Sequence, residues 1–339
     1  MYREASPVRA RWKYFMFFLP VFFLVVPFSS GAQTQTKVTV YGIKGMSGVA
    51  LLRLFESVPR VPGYSITVQT LPQADSMAAL FISGEAKIGF LPPNMAAKIA
   101  ASGRKIQIAA VTGTGMVTLL SGDPSVRRIE DLKGKTVEVA GHGATPDLVF
   151  RKIVQSKGLV VGKDIDFGYA LAYPEMALAL AAGRIQYSLL PEPFATMAVN
   201  ANSKLAAVGD IQKEWMQLTA AQGTAVSPTS DNFPMTVLVV NSDFAAAHSN
   251  LVSVLLQEIK ESIEWVTAHP REAGALAEKH GLGLSAQVVE KAIPRSNYVF
   301  IPLPAARAGL EKLFSVFLEF APASIGNALP PDGFYYISP

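Results

Sequence analysis

From residue 37 to residue 240 the chain alternates short β-rich runs with stretches of helical period, and no other feature narrows its fold so far. Residues 37–41 (KVTVY), 64–71 (YSITVQTL), 87–90 and 105–111 (KIQIAAV) read as strands. Helical patterns fill the intervals at 49–57, 74–82 and 94–101. Strands separated by helices pair in parallel through right-handed crossovers, so this is an α/β unit. A second unit follows, with strands at 117–121, 135–140, 166–171, 187–190 and 236–240 and helices at 145–157, 174–182 and 193–200.

Beyond residue 241 the pattern is helical: 251–267, 271–279, 286–291 and 305–320. Helices without strands of their own need an existing sheet to pack on. The chain is therefore expected to leave a first lobe near 112–116 and to return to it near 241–243. On this reading residues 37–114 and 242–339 form lobe 1, residues 115–241 form lobe 2, and two adjacent linkers make a hinge over a ligand cleft.

Residues 1–32 read as a secretory signal. Arg9, Arg11 and Lys13 precede an uncharged apolar run at 15–28, and Ser30-Gly31-Ala32 follows with small residues at a cleavage site. Pro20 and Pro27 interrupt the run, which is shorter than a bilayer-spanning helix requires. The alternative is an uncleaved anchor. The protein is expected in the periplasm or otherwise outside the cytoplasm.

Composition removes several function classes. The 339 residues carry a net charge of +4, and much of the excess lies in Arg3, Arg9, Arg11 and Lys13, so the charge does not mark a nucleic-acid surface. Without cysteine there is no disulfide, thiolate metal site or Cys nucleophile. His142, His248, His269 and His280 are scattered, and none sits at metal-ligand spacing from another. No nucleophile elbow is present. The sequence thus predicts a non-enzymatic protein with no cofactor and no metal.

Open parallel sheets bind ligands beyond the carboxyl ends of their strands, so the loops there supply the candidate site. After the first strand come Met46, Ser47 and Gly48, where glycine permits close backbone approach and Ser47 either caps a helix or bonds a ligand. Asn94 follows the third strand as a helix cap or ligand contact. Thr112 and Gly113 lie at the expected hinge. His142, Gly143, Ala144 and Thr145 open the second unit's first helix, with Thr145 as its expected cap before Pro146. Glu192 stands at a strand end between Pro191 and Pro193, placed to pair with a ligand amine or to bridge the lobes. Tyr173 and Phe233 offer rings for stacking or for packing.

Four segments in order carry a family resemblance. IEDLKGKTV at 129–137, ALALAAGRIQY at 177–187, LPEPFA at 190–195 and SIGNALPPDGFYY at 324–336 resemble segments of periplasmic substrate-binding proteins of ABC transporters. The group is the nitrate/sulfonate/taurine and thiamine-pyrimidine-precursor one (NitT/TauT-like). Gln186-Tyr187 departs from that group's usual Asp-Ala. The resemblance implies a two-lobed type II periplasmic binding fold, with two three-layer α/β lobes on a two-segment hinge. It also implies closure on a ligand and docking on a permease with a cytoplasmic ATPase. With no Arg in the predicted loops, their backbone N–H groups, Ser47, Asn94, Thr145 and aromatics suit a planar heterocycle or a sulfonate-like solute, and the chain is expected to be a monomer. A pyrimidine-synthase-like enzyme of the same fold and a ligand sensor are the alternatives, the enzyme disfavoured because its cysteine-rich motif is missing.

Overall fold

The computed structural model describes residues 1, 35–220 and 232–337. The expected signal segment at 1–32, Met1 apart, lies outside them. The first stretch runs β1 (Thr36–Ile43), α1 (Met46–Val49), α2 (Leu52–Glu56), β2 (Tyr64–Leu71), α3 (Ala74–Ser83), β3 (Ile88–Leu91), α4 (Pro93–Ala101) and β4 (Ile106–Thr114). Then come β5 (Val117–Ser121), β6 (Thr136–Val139), α5 (Thr145–Ser156), β7 (Asp166–Gly168), α6 (Tyr173–Ala181), β8 (Tyr187–Pro191), α7 (Phe194–Ala201), β9 (Ala206–Asp210) and α8 (Ile211–Ala220). The chain continues through β10 (Pro234–Asn241), α9 (Ser242–Ala247), α10 (Ser249–Ala268), α11 (Pro270–Lys279), α12 (Ala286–Ala292), β11 (Tyr298–Pro302) and α13 (Leu303–Phe320).

These strands build two sheets, ordered β11-β4-β10-β3-β1-β2 and β7-β6-β8-β5-β9. In the first, β1 lies parallel to β2 and β3, while β10 runs antiparallel between β3 and β4. In the second, β6 lies parallel to β7 and β8, and β5 runs antiparallel between β8 and β9. Each sheet has an apolar layer on both faces. One core contains Val111, Leu119, Val139, Phe150 and Phe317 and so draws on both sheets. The opposite face of the first sheet packs against α10, whose Leu251, Leu255, Ile259 and Ile263 recur at one helical stripe. The opposite face of the second packs against α6 and α7 through Met176, Leu180, Ala195 and Ala198.

The link between the two sheets is shorter than the sequence suggested. β4 extends through Thr114, so only Gly115 and Met116 separate it from β5. Thr112 and Gly113 are therefore strand residues, not linker. The return, by contrast, is early. β10 pairs with β3 and β4, which places it in the first sheet and not in the 115–241 unit. Val237 to Val240 are fully buried, as a central strand covered on both faces requires. The expected second linker at 241–243 is instead the cap and start of α9, where Asn241 Oδ1 accepts from the Phe244 amide.

Other differences are local. The single helix expected at 49–57 is two short ones, and the strand at 166–171 stops at Gly168. The region after 241 is not purely helical, because β11 forms the edge of the first sheet beside β4. Its packing on that sheet is as expected: α10 and α13 both lie against it. No described helix is long and apolar enough to cross a membrane.

Candidate functional site

The two-residue connection sets the site. Thr114 ends β4 opposite Pro234, and Val117 begins β5 opposite Pro191. The carboxyl ends of the parallel strands in both sheets therefore meet at Gly115–Met116. Both residues take positive φ, 59° and 54°. The Gly115 amide donates to the Phe233 carbonyl at 3.0 Å, and the Glu192 amide donates to the Met116 carbonyl at 2.8 Å. A direct side-chain bond joins the two sides, from Asn297 Nδ2 to Gln212 Oε1 at 2.8 Å.

On the first sheet's rim, Ser47 closes its own turn. Its hydroxyl accepts from the Ile43 amide at 2.9 Å and donates to the Ile43 carbonyl at 3.1 Å. It caps no helix; Gly45 is the residue before α1. Gly48 packs so closely that a Cβ there would lie 3.1 Å from the Ile43 carbonyl oxygen. Met46 is held from its backbone, whose carbonyl accepts from Tyr298 Oη at 2.7 Å. Asn94 is not a cap either: Pro92 precedes α4, Pro93 begins it, and no side chain closes its end. Thr112 is buried and donates to the Thr236 carbonyl at 3.3 Å. A Cβ on Gly113 would come within 2.7 Å of Met116 Cε.

On the second rim the helix start differs from expectation. Ala144, not Thr145, is the cap residue of α5, and Thr145 is its first helical residue. The physical reason is Asp147. Its fully buried carboxylate accepts from the Gly143 amide at 2.7 Å and from Tyr169 Oη at 2.9 Å, with Arg151 Nη2 at 3.4 Å. That leaves Thr145 Oγ1 buried without a hydrogen-bond partner. His142 is exposed at the loop tip and packs edge-on against Tyr169 at 4.7 Å. Burial, and then the Asp147 charge, push the Tyr169 hydroxyl well up.

Tyr173 stacks on Phe194 at 5.6 Å, and burial followed by the Asp147 charge raises its hydroxyl above the usual range. Glu192 is only 4% exposed. Its Oε2 accepts from the Thr196 amide at 3.1 Å, and burial raises its pKa against the opposing pull of Thr196 and Arg295. Phe233 is fully buried, edge-on to Trp215 at 5.8 Å, so its ring is engaged in packing. The structure thus groups His142, Gly143, Thr145 and Tyr173 around Asp147, and brings Glu192 to the crossover. Sequence reasoning missed Asp147, Tyr169, Gln212, Arg295 and Asn297. Of these, only Asp147 carried a signal, as the acid in the first turn after Thr145-Pro146. Among the described residues no group of three His, Asp or Glu side chains could hold a metal ion.

Residues 86–279 match the sequence profile of the NMT1-like family. The chain belongs to the NMT1-like family. No curated protein matches this NMT1-like chain by sequence. An ABC transporter structure from Parabacteroides distasonis superposes with a TM-score of 0.73 at 22% identity, covering 90% of this chain and 100% of that one. The periplasmic aliphatic sulphonate binding protein SsuA from Escherichia coli gives 0.67 at 15% identity, covering 89% and 92%. The periplasmic nitrate-binding protein NrtA from Synechocystis PCC 6803 gives 0.58 at 12% identity, covering 76% and 70%. The NMT1-like chain shares the fold of these proteins, the type II periplasmic binding fold expected from its sequence motifs.

Proposed function

We propose that the chain is the extracytoplasmic solute-binding component of an ABC importer, which captures a small organic molecule between the two sheets. The observation that carries this reading is the crossover at Gly115–Met116, where the carboxyl-end loops of both sheets face each other. The family membership and the fold shared with ABC-system binding proteins support it.

In this mechanism the solute contacts loops of both sheets and favours the form in which they approach, through contacts that the open form does not offer. Gly115 and Met116 absorb the rotation. His142, Thr145, Tyr173 and Glu192 face the solute from the second sheet, and the loop of Met46, Ser47 and Gly48 from the first. No bond in the solute changes, so the chain needs no nucleophile or general base. Transport energy comes from the ATPase of the permease complex. The two sheets with their helices act as the moving lobes, and the chain works as a monomer outside the cytoplasm.

A thermal-shift screen of metabolites tests the function, because a ligand that binds only the folded state raises its melting temperature. A solute that raises it, and whose affinity falls in Tyr173→Ala, is the expected result. Chemical turnover of that solute by the purified chain would overturn the reading.

A further inference from the structure

The second sheet's rim carries its own negative charge at each described helix start. At α5, Asp147 takes the Gly143 amide at 2.7 Å. At α6, Glu175 Oε2 accepts from the Ala172 amide at 3.2 Å. At α7, Glu192 Oε2 accepts from the Thr196 amide at 3.1 Å. At α8, Asp210 Oδ1 accepts from the Lys213 amide at 3.1 Å. On the first rim, Pro92 and Pro93 remove backbone donors from the start of α4.

A bare helix N-terminus attracts anions because its N–H groups are unsatisfied and its dipole end is positive. Here carboxylates already occupy that role. Arg151 lies on Asp147 and Tyr169, and the Arg295 charge acts on Glu192 from a distance. The polar atom left over beside these carboxylates is a hydroxyl. Thr196 Oγ1 lies against the Glu192 carboxylate, whereas Thr145 Oγ1 is buried, with a residue exposure of 3%, and has no partner.

Resting on the solute-binding reading, we infer that the solute is an amine- or amidine-bearing organic molecule and not an oxyanion. N–H donors on the solute meet Thr145 Oγ1 and the Glu192 carboxylate. A sulfonate or nitrate would instead add a like charge to a ring of acids, and like charges placed together oppose binding.

The test is titration calorimetry of the full chain with four probes: agmatine and benzamidine as cations, nitrate and ethanesulfonate as oxyanions. The expected result is saturable binding of a cation, weakened about tenfold or more by Glu192→Gln, and no heat from the oxyanions. Glutamine keeps an acceptor for the Thr196 amide, and Thr145→Val provides a second variant in which cation affinity falls with the fold intact. Binding of an oxyanion that Glu192→Gln leaves unchanged or strengthens overturns the assignment while the solute-binding reading stands. Binding of no probe, or cation binding indifferent to both variants, also overturns it. Failure of the solute-binding reading has a separate signature, the absence of any ligand-driven approach of the two sheets.

Discussion

Gln212 and Asn297 meet across the two halves of the molecule, the Asn297 side-chain amide donating to Gln212 Oε1 at 2.8 Å. Asn297 precedes β11 at the edge of the first sheet, and Gln212 lies in the first turn of α8, which leaves the second. An exposed hydrogen bond of this kind contributes about 1 kcal/mol. Gln212→Ala should therefore favour the open form and weaken solute binding by about fivefold, mostly through faster release. Stopped-flow fluorescence with displacement of the solute measures this.

Gly115 should report on the same contact. It has φ of 59°, and an added Cβ would collide with Gln212 Oε1. Gly115→Ala should cost about 1–2 kcal/mol in stability and break the Gln212 bridge at once. Because both changes remove one interaction, the double variant with Gln212→Ala should show less than the sum of the two affinity losses.

Thr145 separates a binding role from a structural one. Its buried hydroxyl has no partner, so its burial disfavours the empty fold. Thr145→Val keeps the shape and removes the hydroxyl. The melting temperature of the empty protein should hold or rise, while solute affinity falls; calorimetry and thermal melts on one preparation check both.

Asp147 should behave in the opposite sense. Its buried carboxylate holds Gly143, Tyr169 and Arg151. Asp147→Ala leaves these groups unsatisfied and should lower stability by about 3 kcal/mol, read as a denaturation midpoint shift with an unchanged slope.

Glu192 predicts a pH dependence. Burial raises its folded-state pKa above the usual carboxylate value, so the folded chain holds this proton more tightly than the unfolded one. The resulting stability is present below the unfolded pKa and is lost as pH rises through the higher folded pKa. Glu192→Gln should remove that falling segment, which urea melts across the weakly acidic range would detect.

Much of the architecture was legible because period and punctuation agreed. YSITVQTL gave β2 its observed limits, and Gly84 and Gly183 close α3 and α6 where the sequence placed them. The misses have physical causes. TVLVV at 236–240 was recognised as a strand, but nothing local says which sheet receives it; that depends on pairing with β3 and β4, far away in sequence. β9 and β11 are short, five-residue strands of mixed burial, so neither shows a clean alternation. Thr145 looked like a cap because Pro146 follows it, yet Asp147 reaches back to the Gly143 amide and moves the start to Ala144. Gln212 and Asn297 were invisible, since their meeting exists only once both sheets are in place.

The most direct measurement of the central claim is the separation of two labels, one on each side of the crossover. The chain has no cysteine, so Lys98→Cys on α4 and Lys163→Cys before β7 would give unique and exposed attachment points. Energy transfer between them should rise saturably with any solute that raises the melting temperature, with the same midpoint as binding. A solute that stabilises the fold and saturates its site while the label separation stays constant would contradict the account.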